Sequence, residues 1–95
     1  MSGYRINRQL TEFGEHVRGW RMVLGLTAQQ VSERAGITRD TLRKIESGNP
    51  NVSFNSVTQV LRALGILDQI VDAADPLASD IGRLRAGRLT RKRAR

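Results

Sequence analysis

Apolar residues in this chain come in short bursts at steps of three and four, separated by glycine, proline or small polar residues. Leu10, Phe13, Val17, Trp20 and Leu24 set up an amphipathic helix that Gly25 closes. Val31 and Ala35 give a second helix one buried face, and Leu42 and Ile45 do the same for a third. Val57, Val60, Leu61 and Leu64 predict a fourth, opened by Ser53 and ended at Gly65. Ile66, Leu67, Ile70, Val71 and Ala74 predict a fifth, stopped by Pro76, with Asp68, Asp72 and Asp75 on its other side. No segment alternates with the period of a strand, so the pattern predicts an all-α bundle of five helices over residues 10–75. Residues 1–9 carry no clear period and read as an arm. Gly14 and Gly19 inside the first helix each cost about 1 kcal/mol relative to alanine. They are either simply tolerated or points where another backbone comes close.

The boundaries of the second and third helices are the sharpest in the chain. Thr27 and Gln30 form a T-x-x-Q capping box, and Gly36 can take the left-handed conformation that ends a helix. Thr38 is an N-cap type, and Gly48 closes the helix that follows. Ala35-Gly36-Ile37 leaves room only for a tight corner. Two short helices around such a corner are the helix-turn-helix layout, whose second helix fits the major groove of DNA.

Composition sharpens this reading by exclusion. There is no cysteine and one histidine (His16), so disulfide frameworks, cysteine-based zinc sites and multi-histidine metal sites are ruled out. No apolar run approaches the roughly 20 residues of a membrane span, and the first ten residues lack a hydrophobic signal core; a cytoplasmic protein without membrane contact is expected. No Ser/His/Asp spacing, phosphate-cradling glycine loop or convergent pair of acids stands out, so neither catalysis nor a cofactor is expected.

The net charge of +7 suits a polyanionic partner, and its distribution is uneven. Residues 76–95 hold seven bases (Arg83, Arg85, Arg88, Arg91, Lys92, Arg93 and Arg95) against one acid, Asp80, whereas residues 1–75 are nearly neutral. This basic tail is low in aromatics and is expected to be flexible in isolation, although Leu77, Ile81, Leu84 and Leu89 suggest that it can fold against something. Its bases are candidates for contact with nucleic acid or with a protein partner.

The run LGLTAQQVSERAGITRDTLRKIESG, with G-L-T-x-x-x-V-x-x-x-A-G-I followed by T-L-x-x-I-E-x-G, resembles the Cro/C1-type (XRE) DNA-binding domain, over about Leu10 to Ala74. The resemblance implies a five-helix Cro/C1-type helix-turn-helix bundle. It also implies an ion pair between Arg21 and Glu46 that ties the first helix to the recognition helix; the alternative is two solvated charges. A narrower resemblance, carried by T-L-R-K-I-E-S-G-N-P-N-V-S-F, L-R-A-L-G-I-L-D-Q-I and A-D-P-L-A-S-D-I-G, is to HipB-like antitoxin repressors, which are encoded beside HipA-like kinases. It implies an autoregulating repressor whose partner is a HipA-like kinase toxin.

The resemblance to the Cro/C1-type domain also implies the site. It places Arg39, Asp40, Arg43 and Lys44, near the start of the recognition helix, at base edges, where arginine and lysine match the acceptors of guanine. Asp40 could accept from cytosine, or could instead favour the helix N-terminus or orient Arg43. Thr27, Ala28, Gln29 and Thr38 at helix starts, and Ser47, Asn49, Asn51 and Ser53 after the third helix, are candidates for phosphate contact, capping and turn formation being equally good roles. Trp20 is expected in the core and His16 on the surface. One recognition helix spans too few base pairs for useful specificity, so a homodimer on an inverted-repeat operator in double-stranded DNA is expected, with the fifth helix and the C-terminal segment as its natural interface. The competing readings are a regulator without a toxin partner, a module that mainly neutralises a partner enzyme, and a nucleic-acid coating protein acting through its tail.

Overall fold

A computed structural model describes residues 2–89. The helices are α1 (Ser2–Val23), α2 (Ala28–Ala35), α3 (Arg39–Glu46), α4 (Phe54–Ala63), α5 (Leu67–Ala74) and α6 (Asp80–Leu84), with a 3₁₀ turn over Pro76–Ala78; the described residues include no strand. The core is one cluster in which Val17, Val31, Ala35, Leu42, Ile45, Val60, Leu61, Leu64 and Ile66 are buried. Phe13, Leu26, Ile37, Val52 and Val57 pack around it. It is held mainly by α2 against α4 and α1 against α3. Fully burying a leucine or valine such as Leu42 or Val17 contributes about 1.5–3 kcal/mol, so the sides of α2 and α3 turned inward are fixed.

Two glycines set how closely α3 meets α1. A Cβ on Gly14 would lie 2.5 Å from the carbonyl oxygen of Glu46 and 2.7 Å from that of Ile45. Gly48, at φ +82°, comes equally close to the backbone of Leu10 and Thr11. Gly14 is therefore a point of backbone contact, whereas Gly19 has nothing near its missing Cβ and is merely tolerated.

Three expectations change. Residues 2–9, read as an arm without period, continue α1. Once Leu10–Val23 has nucleated against the core, each added residue gains a hydrogen bond without a new nucleation cost; an Arg8–Glu12 pair at 3.9 Å adds a little, and Tyr4 and Ile6 stay exposed. Trp20 is not a core residue: it is 40% exposed and lines a shallow hollow with His16, Gly19 and Val23. The buried line of α1 runs from Val17 toward Arg21, whose side chain occupies the position that spacing assigned to tryptophan. The stretch from Pro76 to Leu84, expected to be flexible, is a compact capped unit. Asp75 accepts from Leu77 N–H at 2.9 Å, Ser79 accepts from Gly82 N–H at 3.0 Å, and Arg83 donates to Leu77 O at 2.8 Å and pairs with Asp80. Of the tail bases, Arg91, Lys92, Arg93 and Arg95 lie outside the described residues.

Candidate nucleic-acid interface

The start of α2 is organised by its capping box. Thr27 Oγ1 accepts from Gln30 N–H at 3.0 Å, and Gln30 Oε1 accepts from Thr27 N–H at 2.9 Å. The N–H groups of Ala28 and Gln29 belong to the first turn, where no intrahelical acceptor exists, so they point outward with the positive end of the helix dipole. The Gln29 side chain is engaged elsewhere, donating to Glu33 at 2.8 Å. Gly36, at φ +70°, ends α2 by donating to Ser32 and Glu33 carbonyls, and Thr38 opens α3 two residues on, accepting from Thr41 N–H at 3.1 Å. This corner fixes α3 with Leu42 and Ile45 inward and Arg39, Asp40, Arg43 and Lys44 outward, all four exposed.

A bidentate ion pair locks that orientation. Arg21 Nε donates to Glu46 Oε2 at 2.8 Å and Arg21 Nη2 to Glu46 Oε1 at 3.0 Å, with a third, longer bond from Nη1 to Leu26 O at 3.4 Å. The two side chains are only 14% and 12% exposed, so this is not a pair of solvated charges. The hydrogen bonds from Arg21 to Glu46 push the guanidinium above its ordinary pKa despite some desolvation.

On the outer face of α3, Asp40 gathers two bases. It accepts from Arg43 Nη2 at 2.8 Å and Nε at 3.2 Å, and pairs with Lys44 Nζ at 3.3 Å. Hydrogen bonds from Arg43 and then Lys44 hold the Asp40 carboxyl below the usual carboxylate range. Asp40 thus acts as an orienting group for Arg43. Arg39 makes no ion pair among the described residues.

Ala28, Arg39, Asp40, Arg43 and Ser47 line one open groove of about 570 Å³, with Leu42 and Glu46 in its wall. Arg18, which sequence reasoning missed, lines it too, from α1. Its signal was slight: it lies three residues before Arg21 and so beside it on the helix surface. Both acids of the groove are already paired, Glu46 with Arg21 and Asp40 with Arg43 and Lys44, which leaves Arg18 and Arg39 to set its sign.

Ser47, at the groove edge, donates its Oγ to Lys44 O at 2.9 Å. The remaining expected residues, Lys44 among them, do not line this groove. Asn49 Oδ1 accepts from Asn51 N–H at 2.7 Å, and Ser53 caps α4 by accepting from Ser56 N–H at 3.0 Å. Asn49 borders a separate, largely apolar hollow with Leu10, Phe13, Pro50 and Phe54. Arg83, Arg85 and Arg88 are exposed beyond α5 and do not line the groove. Among the described residues no cluster of His, Asp or Glu is arranged to hold a metal, and no helix is long and apolar enough to cross a membrane.

Residues 12–74 match the helix-turn-helix domain family. The chain is also similar to an uncharacterized HTH-type transcriptional regulator of Methanothermobacter thermautotrophicus, with 39% identity over 49 residues, which is 52% of this chain and 71% of that protein. No solved structure matches.

Proposed function

Because the chain belongs to the helix-turn-helix domain family, we propose that it is a sequence-specific DNA-binding transcriptional regulator that represses by occupying its operator as a homodimer. The observation that carries this reading is the polarity of α3. Its apolar side is buried, its last turn is clamped to α1 through Arg21, and its opposite side presents Arg39 and Arg43 along an open groove, with Lys44 exposed outside the groove lining. A helix held this rigidly can offer side chains to base edges without first ordering itself, which keeps the entropic cost of binding low.

In this reading Arg39 and Lys44 read bases, and Asp40 holds Arg43 in a conformation fit for guanine O6 and N7. The outward N–H groups of Ala28 and Gln29 take a phosphate, as helix N-termini do. Thr27, Thr38, Ser47, Asn49, Asn51 and Ser53 serve mainly as caps and turn formers that aim those groups. The regulator named above supports the transcriptional role. Two copies, each reading one half-site, supply the base pairs that one short helix cannot.

The test is selection of bound sequences from random duplexes, followed by Arg39→Ala. An inverted repeat should emerge, and the substitution should weaken operator binding by about 1–3 kcal/mol while leaving binding to random DNA nearly unchanged. Equal losses on both would remove Arg39 from base readout.

The narrower antitoxin reading is supported by the L-R-A-L-G-I-L-D-Q-I and A-D-P-L-A-S-D-I-G runs, which span the end of α4, α5, the 3₁₀ turn and the start of α6. It requires that a HipA-like kinase encoded alongside co-purify with this chain and be silenced by it.

A further inference from the structure

Arg18 is a cation for which the fold has no use. It is exposed on α1, three residues before Arg21, and makes no ion pair among the described residues. Glu46, the acid in the wall of the groove that Arg18 lines, has both carboxylate oxygens taken by Arg21. Asp40, the other acid there, is held by Arg43 and Lys44. Arg18 nevertheless shares that groove with Arg39, Arg43 and Ala28. Guanidinium groups from two different helices are thus gathered on one open cleft whose acids are already spent. A cleft lined by one sign of charge concentrates the opposite sign, so its natural occupant is an anion.

We propose that Arg18 is a DNA-binding residue and that it holds a backbone phosphate at the rim of the major groove, not a base. Dimensions decide between the two. The major groove is about 12 Å wide and a helix with its side chains is about 10–12 Å across, so α3 alone fills it. α1 packs against α3, and packed helices lie about 8–10 Å apart between axes. That offset carries Arg18 past the base edges to the rim, where the phosphates run. There a guanidinium can grip two phosphate oxygens at once. Such a contact carries no sequence information; it fixes the depth and register at which α3 sits, so that Arg39 meets its base edge. The coupling is direct, because α1 also clamps the last turn of α3 through the Arg21–Glu46 pair. The proposal rests on the DNA-binding reading above and adds to it a contact from a helix outside the helix-turn-helix.

The experiment is a salt titration of DNA binding by fluorescence anisotropy, with the full chain on its selected operator and on random duplex. Each neutralised phosphate contributes about −0.9 to the slope of log K against log salt. Arg18→Ala should therefore weaken binding to both duplexes by the same factor, about eightfold per bound copy at about 0.1 M salt, and make the slope shallower by about 0.9 per copy. Arg18→Lys, which keeps the charge, should keep the slope. Arg18 is exposed and unpaired, so both variants should melt with the parent by circular dichroism. Replacing operator phosphates one at a time by neutral methylphosphonates locates the contact. One position in each half-site should weaken the parent and leave Arg18→Ala unaffected. Unchanged affinity and slope for Arg18→Ala, while Arg39→Ala still loses operator preference, overturns the proposal and keeps the regulator reading. A loss confined to the operator also overturns it, since Arg18 then reads bases. A parent chain that binds neither duplex overturns both readings.

Discussion

Truncating Glu46 to alanine is expected to remove about 3 kcal/mol from the stability of the domain. The geometry supplies the magnitude. Arg21 would lose both short bonds, at 2.8 and 3.0 Å, and keep only the 3.4 Å contact to Leu26 O. Its side chain is 14% exposed, so the guanidinium would be left charged, largely dry and almost without acceptors. Removing one partner from a buried pair costs about 3–5 kcal/mol. The open groove beside Glu46 admits water to the vacated position and places the loss at the lower end. Against a total of about 5–15 kcal/mol this is a severe change. At about 4–8 °C per kcal/mol for a domain of this size, the melting temperature should fall by about 12–24 °C in a far-ultraviolet circular dichroism melt. Glu46→Gln, which retains one acceptor oxygen, should lose less. Replacing the pair together, as Arg21→Met with Glu46→Leu, should recover most of the loss, because what costs is the orphaned charge. Arg21 titrates above its ordinary value, so its share of the stability is fully present below that value and does not vary around neutral pH. A melting temperature for Glu46→Ala within about 2 °C of the parent would refute the reasoning, since it corresponds to less than about 0.5 kcal/mol.

Two glycines of α1, Gly14 and Gly19, should respond in opposite directions. Gly14→Ala places a methyl 2.5 Å from the Glu46 carbonyl and should destabilise, overpacking at about 1–3 kcal/mol outweighing the helix-propensity gain, whereas Gly19→Ala meets nothing and should stabilise by up to about 1 kcal/mol in thermal melts. The Asp40 carboxyl, followed by carbon-detected NMR, should titrate below the usual carboxylate value because the folded state favours its charged form. The contribution of its contacts to Arg43 and Lys44 is therefore present above that usual value and disappears as pH falls through the lowered one; a midpoint at or above the usual value would mean that the clamp does not persist in solution.

The helix-turn-helix was legible because its boundaries are written in local chemistry. Thr27 with Gln30, Gly36 and Thr38 act on their own backbone within a few residues, and they do the same in the folded chain. The central apolar set was legible for a similar reason, since Val31, Ala35, Leu42, Ile45, Val60, Leu61 and Leu64 repeat at helical spacing and are buried. The same rule misplaced Trp20. Steps of three and four from Val17 lead to both Trp20 and Arg21, and periodicity alone prefers the apolar residue. The fold prefers the arginine because a carboxylate 25 residues away meets it, and a partner at that separation leaves no trace in local spacing. The resemblance supplied that pair where the pattern could not. Residues 2–9 failed differently: helix there is propagated from packed neighbours and needs no apolar period of its own. Pro76–Leu84 looked like a flexible basic tail because composition counts arginines without seeing that Arg83 is spent on Leu77 O and Asp80.

For the groove, residue type pointed to α3 and missed α1. An exposed arginine on an amphipathic helix looks like any solvated charge, so Arg18 could be singled out only once α1 was known to pack against α3. Asp40 shows the complementary difficulty. Its position three residues before Arg43 and four before Lys44 allowed both a base contact and an orienting role, and the geometry gives its carboxylate to the two bases. That has a consequence for how the four exposed residues of α3 can act. Arg43 and Lys44 are coupled through one carboxylate, so a substitution at Asp40 alters both together. Arg39 has no ion pair among the described residues to constrain it and can be changed without disturbing its neighbours. Arg39 is therefore the position at which a loss of discrimination can be assigned to one side chain, whereas effects at Asp40, Arg43 and Lys44 need double-mutant cycles to be apportioned.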